Sequence, residues 1–249
     1  MSDWLVVVLA APLASFGEDA GNARRGTAER PTHSALVGLA GAALGVERGD
    51  KQGQLRLAEA FFTATRTLRP GAPMTDFHTF QSLPAAKGPV ATRAEALARR
   101  GELETSITRR DYRSDGLWQA AFTPRPRGEL ALDALREAFA RPRFPLYAGR
   151  RSCPLAFPLS PLLVTDASVD TAFYDHARQL NRDFKREILR ETGGVLAIDA
   201  RLPEPSANTS RRHRRNDEPG DRTRWHFSPR AEIVRAMSAD RAATDNGRS

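Results

Sequence analysis

Apolar residues fall in a few short, dense runs separated by long polar stretches, and the period of the pattern changes along the chain. Residues 4–9, Trp4-Leu5-Val6-Val7-Val8-Leu9, form a continuous β-branched run, the pattern of a central strand covered on both faces. Pro12 and Gly17 stop it, and the polar residues 18–31 read as a loop. Thr32 or Ser34 then caps a helix through residues 35–44, which Gly45 closes. That helix is apolar almost all round and has to be buried, with Gly38 and Gly41 letting it lie close against a sheet. Residues 61–68 and 117–123 read as the second and third strands. Residues 129–140 read as a helix with an apolar stripe through Leu130, Ala134, Leu135 and Phe139.

Between residues 70 and 115 the pattern loosens into prolines, glycines and an Ala- and Arg-rich piece, the mark of an extended hairpin with a mobile tip. Residues 162–164 supply a fourth strand. Further on, 170–192 is a charged helical stretch, 195–200 and 224–227 are short strands, and 236–249 has little to pack and reads as a frayed tail. The order β-α-β-(arm)-β-α followed by a strand predicts an α+β, ferredoxin-like core, the fold of RNA-recognition modules. The expected organisation is a core over 1–165 with an arm inserted at about 70–115, a smaller β-containing part over 166–235, and a disordered tail over 236–249.

Charge narrows the choice of partner. Among 249 residues, 38 Lys plus Arg oppose 30 Asp plus Glu, a formal net charge of +8 that favours a polyanion. Almost all the cations are arginine, with lysine only at Lys51, Lys87 and Lys185. Cys153 is the single cysteine, so an internal disulfide and a multi-cysteine zinc site are excluded and a reducing cytosol is the expected compartment. The opening apolar run is too short to span a bilayer and follows Asp3 rather than a basic segment, so a soluble, cytoplasmic protein with no membrane partner is expected.

The chemistry concentrates in residues 142–154, Pro142-Arg143-Phe144-Pro145-Leu146-Tyr147-Ala148-Gly149-Arg150-Arg151-Ser152-Cys153-Pro154. Prolines hold the segment extended, Gly149 allows a positive φ or a close backbone approach, and the Arg150–Arg151 pair fits phosphate bidentately. Tyr147 offers a stacking face and Ser152 a hydroxyl donor. Further basic clusters stand at Arg24-Arg25, ahead of a helix N-terminus bearing Thr32, His33 and Ser34, and at Arg109-Arg110 with Tyr112. The run Arg211-Arg212-His213-Arg214-Arg215 is a third, which a flexible loop would limit to nonspecific attraction. Taken alone, each of these three clusters reads as a solvated face before it reads as a site; together with the 142–154 loop, and with hydroxyls and tyrosines at element ends, they favour RNA.

An enzyme is poorly supported. No phosphate loop, dinucleotide fingerprint or nucleophile elbow occurs, no cofactor site is evident, and the five histidines lack metal-ligand spacing, so neither a metal nor a catalytic residue is expected. His78, in Asp76-Phe77-His78-Thr79, is the one candidate for acid–base work, and no second group beside it is identifiable.

Taken in order, these segments resemble the CasD family, the subunit of the type I-E CRISPR Cascade complex that holds the 5′ end of the guide RNA. The matching pieces are residues 5–17, Pro31-Thr32-His33-Ser34 with its glycine-rich helix, residues 76–79, residues 107–112 and, above all, residues 142–154; a fainter echo lies at Asn216-Asp217-Glu218-Pro219. The resemblance implies a ferredoxin-like core, a thumb, and contacts to the repeat-derived 5′ handle of the guide RNA. It also implies docking to the Cascade backbone and large subunits, an indirect link to target DNA, and no catalysis. A related branch cuts repeat RNA without metal using Tyr, Lys and His, a set that has no clear counterpart here. The implied RNA-binding residues are Arg25, Thr32, Ser34, Arg109, Arg110, Tyr112, Tyr147, Gly149, Arg150, Arg151 and Ser152.

Overall fold

Strand β1 (Ser2–Ala14) is apolar on both faces because a layer of helix covers each of them. In the computed structural model, which describes residues 2–17, 23–84, 86, 88–184, 193–203, 210–220 and 226–237, its side chains alternate between two cores. Leu5, Val7 and Leu9 meet Leu36 and Ala40 of α1 (His33–Leu44) and Leu135 and Phe139 of α4 (Leu132–Ala140). Trp4 and Val6 meet Ala172 and Phe173 of α5 (Val169–Phe184), and Val8 and Ala10 meet its Ala177 and Leu180. Each fully buried aliphatic side chain contributes about 1.5–3 kcal/mol, so β1 is the chief organiser of the fold.

The remaining elements, in chain order, are β2 (Phe16–Gly17), β3 (Arg24–Arg25), β4 (Thr27–Ala28), α2 (Lys51–Ala60), β5 (Phe61–Arg69), β6 (Ala72–Ser82), α3 (Arg93–Ala98), β7 (Glu104–Pro124), β8 (Leu162–Ala167), β9 (Val195–Asp199), β10 (Arg211–Pro219) and β11 (Phe227–Ala236). Among the described residues one sheet runs β10-β11-β9-β5-β7-β1-β8, with β3 and β6 paired to the outer half of β7. Its segment β8-β1-β7-β5 is antiparallel throughout, with Leu5 opposite Leu163, Val7 opposite Ala120 and Ala64 opposite Ala121. This fourth-first-third-second order is the ferredoxin-like arrangement expected from sequence. In RNA-recognition modules the second face of such a sheet displays stacking aromatics; here α5 covers it, so a ligand has to be met at the end of the sheet.

The arm is continuous with the sheet. Strand β7 is 21 residues long; residues 113–122 pair with β1 and 117–124 with β5, while β6 pairs with residues 104–114 as a hairpin. The exposed helix α3 lies near its tip, N-capped by Thr92.

Several expectations need correction. Residues 51–60, unassigned from sequence, form α2, and Gly41 of α1 lies against Leu57 of that helix, where an added methyl would come within 2.6 Å of Leu57 Cδ2. The loop over 18–31 contains β3 and β4. The Arg211 run lies on strand β10 rather than on a flexible loop, because ion pairs anchor that strand to its neighbours. Of the strand expected at 224–227, Phe227 opens β11, while 221–225 and the tail from 238 lie outside the described residues, as does Lys87.

Candidate nucleic-acid interface

Three distant pieces of chain meet where the arm leaves the sheet. Strand β3 runs parallel to β7, pairing Arg24 with Arg109 and Arg25 with Arg110, and the Arg109 amide donates to the Ala23 carbonyl at 2.9 Å. Side chains alternate along both strands, so Arg25, Arg110 and Tyr112 share one face and Arg24, Arg109 and Asp111 the other. The loop over 147–154 closes on the first face. Ala148 donates to Cys153 O at 2.8 Å, Cys153 donates to Arg150 O at 2.9 Å, and Tyr147 bridges Pro154. Cys153 is fully buried beneath this turn, and burial pushes its thiol pKa up.

Gly149 fixes where the loop sits. Its φ is +89°, and a methyl group there would lie 1.9 Å from the backbone oxygen of Ser15, whose amide donates to Ala148 O at 3.0 Å. With the loop seated, Arg150 lies over the ring of Tyr112 at 5.0 Å, and its Nη2 donates to the Arg25 carbonyl at 2.9 Å. Arg150 Nη1 and Arg110 Nε have no hydrogen-bond partner among the described residues.

Electrostatics sort the arginines. Asp111 accepts from Arg24 Nε and from Thr75 Oγ1, each at 2.8 Å; the Arg24 hydrogen bond, helped by Thr75 and the nearby charge of Arg150, holds its carboxyl below the usual carboxylate range. Arg24 is thus neutralised on its own face. No carboxylate makes an ion pair with Arg25, Arg110 or Arg150 among the described residues. Asp76 stands across the hairpin from Arg110 and Asp111 lies within electrostatic reach of Arg150, so three guanidiniums against two carboxylates leave net positive charge around Tyr112.

The sequence-predicted set therefore divides. Arg25, Arg110, Tyr112, Gly149 and Arg150 converge. Arg109 points to the opposite face, 5.5 Å over the ring of Phe77, because it is one residue out of phase with Arg110. Arg151 and Tyr147 line a separate groove of about 910 Å³ between the end of α1, α2 and residues 144–154; Ser152 is exposed on the turn.

Thr32 and Ser34 leave the set for a different reason. Thr32 is buried and its hydroxyl caps Ala35 N at 3.3 Å; Ser34 Oγ lies 3.2 Å from it. The anion at this helix N-terminus is the protein's own: Asp217 of β10 accepts from His33 N at 2.8 Å. Around it Arg230 donates twice to Asp217 at 3.0 Å, and Arg125 and Arg201 flank Glu218 while both lie 5.0 Å from the Phe62 ring. Sequence reasoning missed this network, and the only signal for it was the acidic step Asp217-Glu218 after the basic run. His78 sits on β6 across from Thr108, with its Nε2 2.6 Å from Asp76 Oδ2.

A ferredoxin-like sheet with an arm, and a cluster of arginines where the arm leaves it, defines an α+β protein. Two solved structures share the fold: a chain of a CRISPR RNA-guided surveillance complex, with TM-score 0.60 and 24% identity over 96% of this chain and 92% of that one, and a Cas protein crystal structure, with TM-score 0.61 and 24% identity over 95% of each. The chain belongs to the CRISPR-associated protein (Cas_Cas5) family, whose pattern matches residues 4–232. It is also 30% identical over 167 residues to the CRISPR system Cascade subunit CasD of Escherichia coli (strain K12), covering 64% of this chain and 70% of that protein.

Proposed function

We propose that this protein is the subunit of a CRISPR Cascade complex that holds the 5′ handle of the guide RNA and caps one end of the backbone, without cutting the RNA. The observation that carries the reading is the meeting of Arg25, Arg110 and Arg150 around Tyr112, with no carboxylate in ion-pair contact with any of the three among the described residues. Phosphates of a single strand would meet the accessible side of these guanidiniums and fix its register, while bases turned out of the stack would give identity. Tyr147 and Arg151 on the far side of the loop offer a further aromatic and cationic surface. Family membership and the similarity to CasD support the assignment to Cascade. On this reading the arm reaches the neighbouring backbone subunit, the core meets the large subunit, and target DNA is engaged indirectly, in the cytoplasm.

Copurification from a host expressing the neighbouring genes, followed by sequencing of bound RNA, tests this. Recovery of guide RNAs sharing one 5′ sequence, lost in an Arg110→Ala/Arg150→Ala variant, is expected; equal recovery with the variant would refute the groove.

A second reading, a metal-independent endoribonuclease for repeat RNA, draws on one observation: the His78–Asp76 pair lies on the same face of the arm as Arg110 and Tyr112. Incubating the protein with repeat RNA in EDTA separates the two. A discrete cut lost in His78→Ala favours cleavage, and intact RNA favours holding.

A further inference from the structure

We infer that β10, an outermost strand of the sheet, is a second phosphate-binding surface that takes a nucleic-acid backbone distinct from the one proposed for the groove. Strand β10 pairs with β11 alone among the described residues, so its other edge is unpaired there. Arg211, Arg212, His213 and Arg214 are all exposed on it. Pairing with Val234, Ile233, Glu232 and Ala231 respectively sends Arg211 and His213 to one face of the sheet and Arg212 and Arg214 to the other.

The other arginines of this region are committed. Arg215 donates to Glu232 at 3.1 Å, Arg230 to Asp217, and Arg235 to Asp170, while Arg30 also bonds Glu232. Glu232 is therefore saturated by three guanidiniums, and no other acid pairs with the outer run among the described residues. Arg211, Arg212 and Arg214 have no ion-pair partner among the described residues. The arginines divide by position: the inner ones tie β10 and β11 to their neighbours, and the outer ones face solvent.

Same-face neighbours on a strand lie about 6.6 Å apart, so Arg212 and Arg214 can reach successive phosphates of one nucleic-acid strand while Arg211 approaches from the other side of the edge. Charge on an open edge also deters strand-to-strand aggregation, and an acidic peptide could add there as a strand. Nucleic acid is favoured over both because the charge is all guanidinium and three such groups stand unpaired along four residues of one strand, among the described residues.

The test is an Arg211→Ala/Arg212→Ala/Arg214→Ala variant of the full chain, titrated by fluorescence anisotropy against a short DNA duplex, a handle-free single-stranded RNA and a poly-glutamate peptide across a salt series. Circular dichroism melting of the variant and an Arg→Lys version at the same positions control for folding and for charge alone. For the duplex, the slope of log affinity against log salt should shrink by about 2 to 3 on alanine substitution and be kept by lysine. The RNA arm shows whether the backbone may be single-stranded, and a loss on either nucleic acid supports the surface. Unchanged nucleic-acid slopes, or loss of poly-glutamate binding alone, overturn it. Handle binding that persists in this variant while falling in Arg110→Ala/Arg150→Ala keeps the two sites separate, so either can fail without the other.

Discussion

A side-chain carbon at Gly149 would lie 1.9 Å from the carbonyl oxygen of Ser15, at a backbone φ of +89°. The collision partner is backbone of β1's end, which the sheet holds in place, so the loop has to move instead. Gly149→Ala is expected to destabilise the protein by about 2 kcal/mol or more and to lift Arg150 from Tyr112. Thermal unfolding would register the first effect, and weakened handle RNA binding the second.

His33 gives a pH signature. Burial is the main cause that lowers its pKa from 6.5 to about 4, with Arg230 and Arg125 adding to the effect. The neutral ring fits its bonds: Arg125 Nη2 donates to Nε2 at 3.2 Å, which leaves Nδ1–H to donate to Thr63 Oγ1 at 2.9 Å. Because the folded pKa lies below the unfolded one, the unfolded chain binds the extra proton first. Stability is therefore full above about pH 6.5 and falls by about 3 kcal/mol as pH drops towards 4. Below that, Asp217 and Glu218, whose carboxyls hydrogen bonds and arginine charges hold low against burial, lose their contribution in turn. Denaturant melts of His33→Gln should show a flatter profile between pH 6.5 and 4.

Asp217 and Arg230 are both nearly inaccessible and bonded twice at 3.0 Å. Asp217→Ala leaves the buried Arg230 only its longer contacts to Glu232 and Asp199 and uncaps His33 N, a loss of about 3 kcal/mol. Asp217→Leu/Arg230→Met should cost clearly less than the sum of the single changes, which a double-mutant cycle by urea unfolding would measure.

On the arm, Phe77 and Ile107 are 63% and 61% exposed and lie diagonally on the face opposite Arg110. Phe77→Ser/Ile107→Ser should raise solubility, leave the melting temperature within about 2 °C and leave handle RNA affinity unchanged. If the arm docks to a neighbouring subunit by this face, yield of the assembled complex falls.

The legible parts of the fold were those whose signal is burial. The run Trp4–Leu9, the cap Thr32 and stop Gly45 of α1, and the loosened stretch that became the arm all follow from pattern and end chemistry. Helix α2 was hidden because its buried stripe is only Gly53, Leu57, Ala58 and Ala60, two of them weak hydrophobes, in ten residues otherwise polar. Strand β10 was hidden because ion pairs, not apolar alternation, fasten its inner side. The same blind spot hid what occupies the α1 N-terminus: beside Thr32 and Ser34, the pairing of β10 with β11 brings Asp217 there. For the groove, the sequence contained each cluster, but separating Arg110 from Arg109 and Arg150 from Arg151 required strand phase and the seat of the loop.

The central claim is that guanidiniums from three stretches of chain grip one RNA strand around Tyr112. Salt-dependent binding of 5′-handle RNA to Arg110→Ala/Arg150→Ala tests it most directly. Two lost phosphate contacts on a single strand should weaken binding and shrink the slope of log affinity against log salt by about 1.4. Wild-type affinity with an unchanged slope would contradict the account.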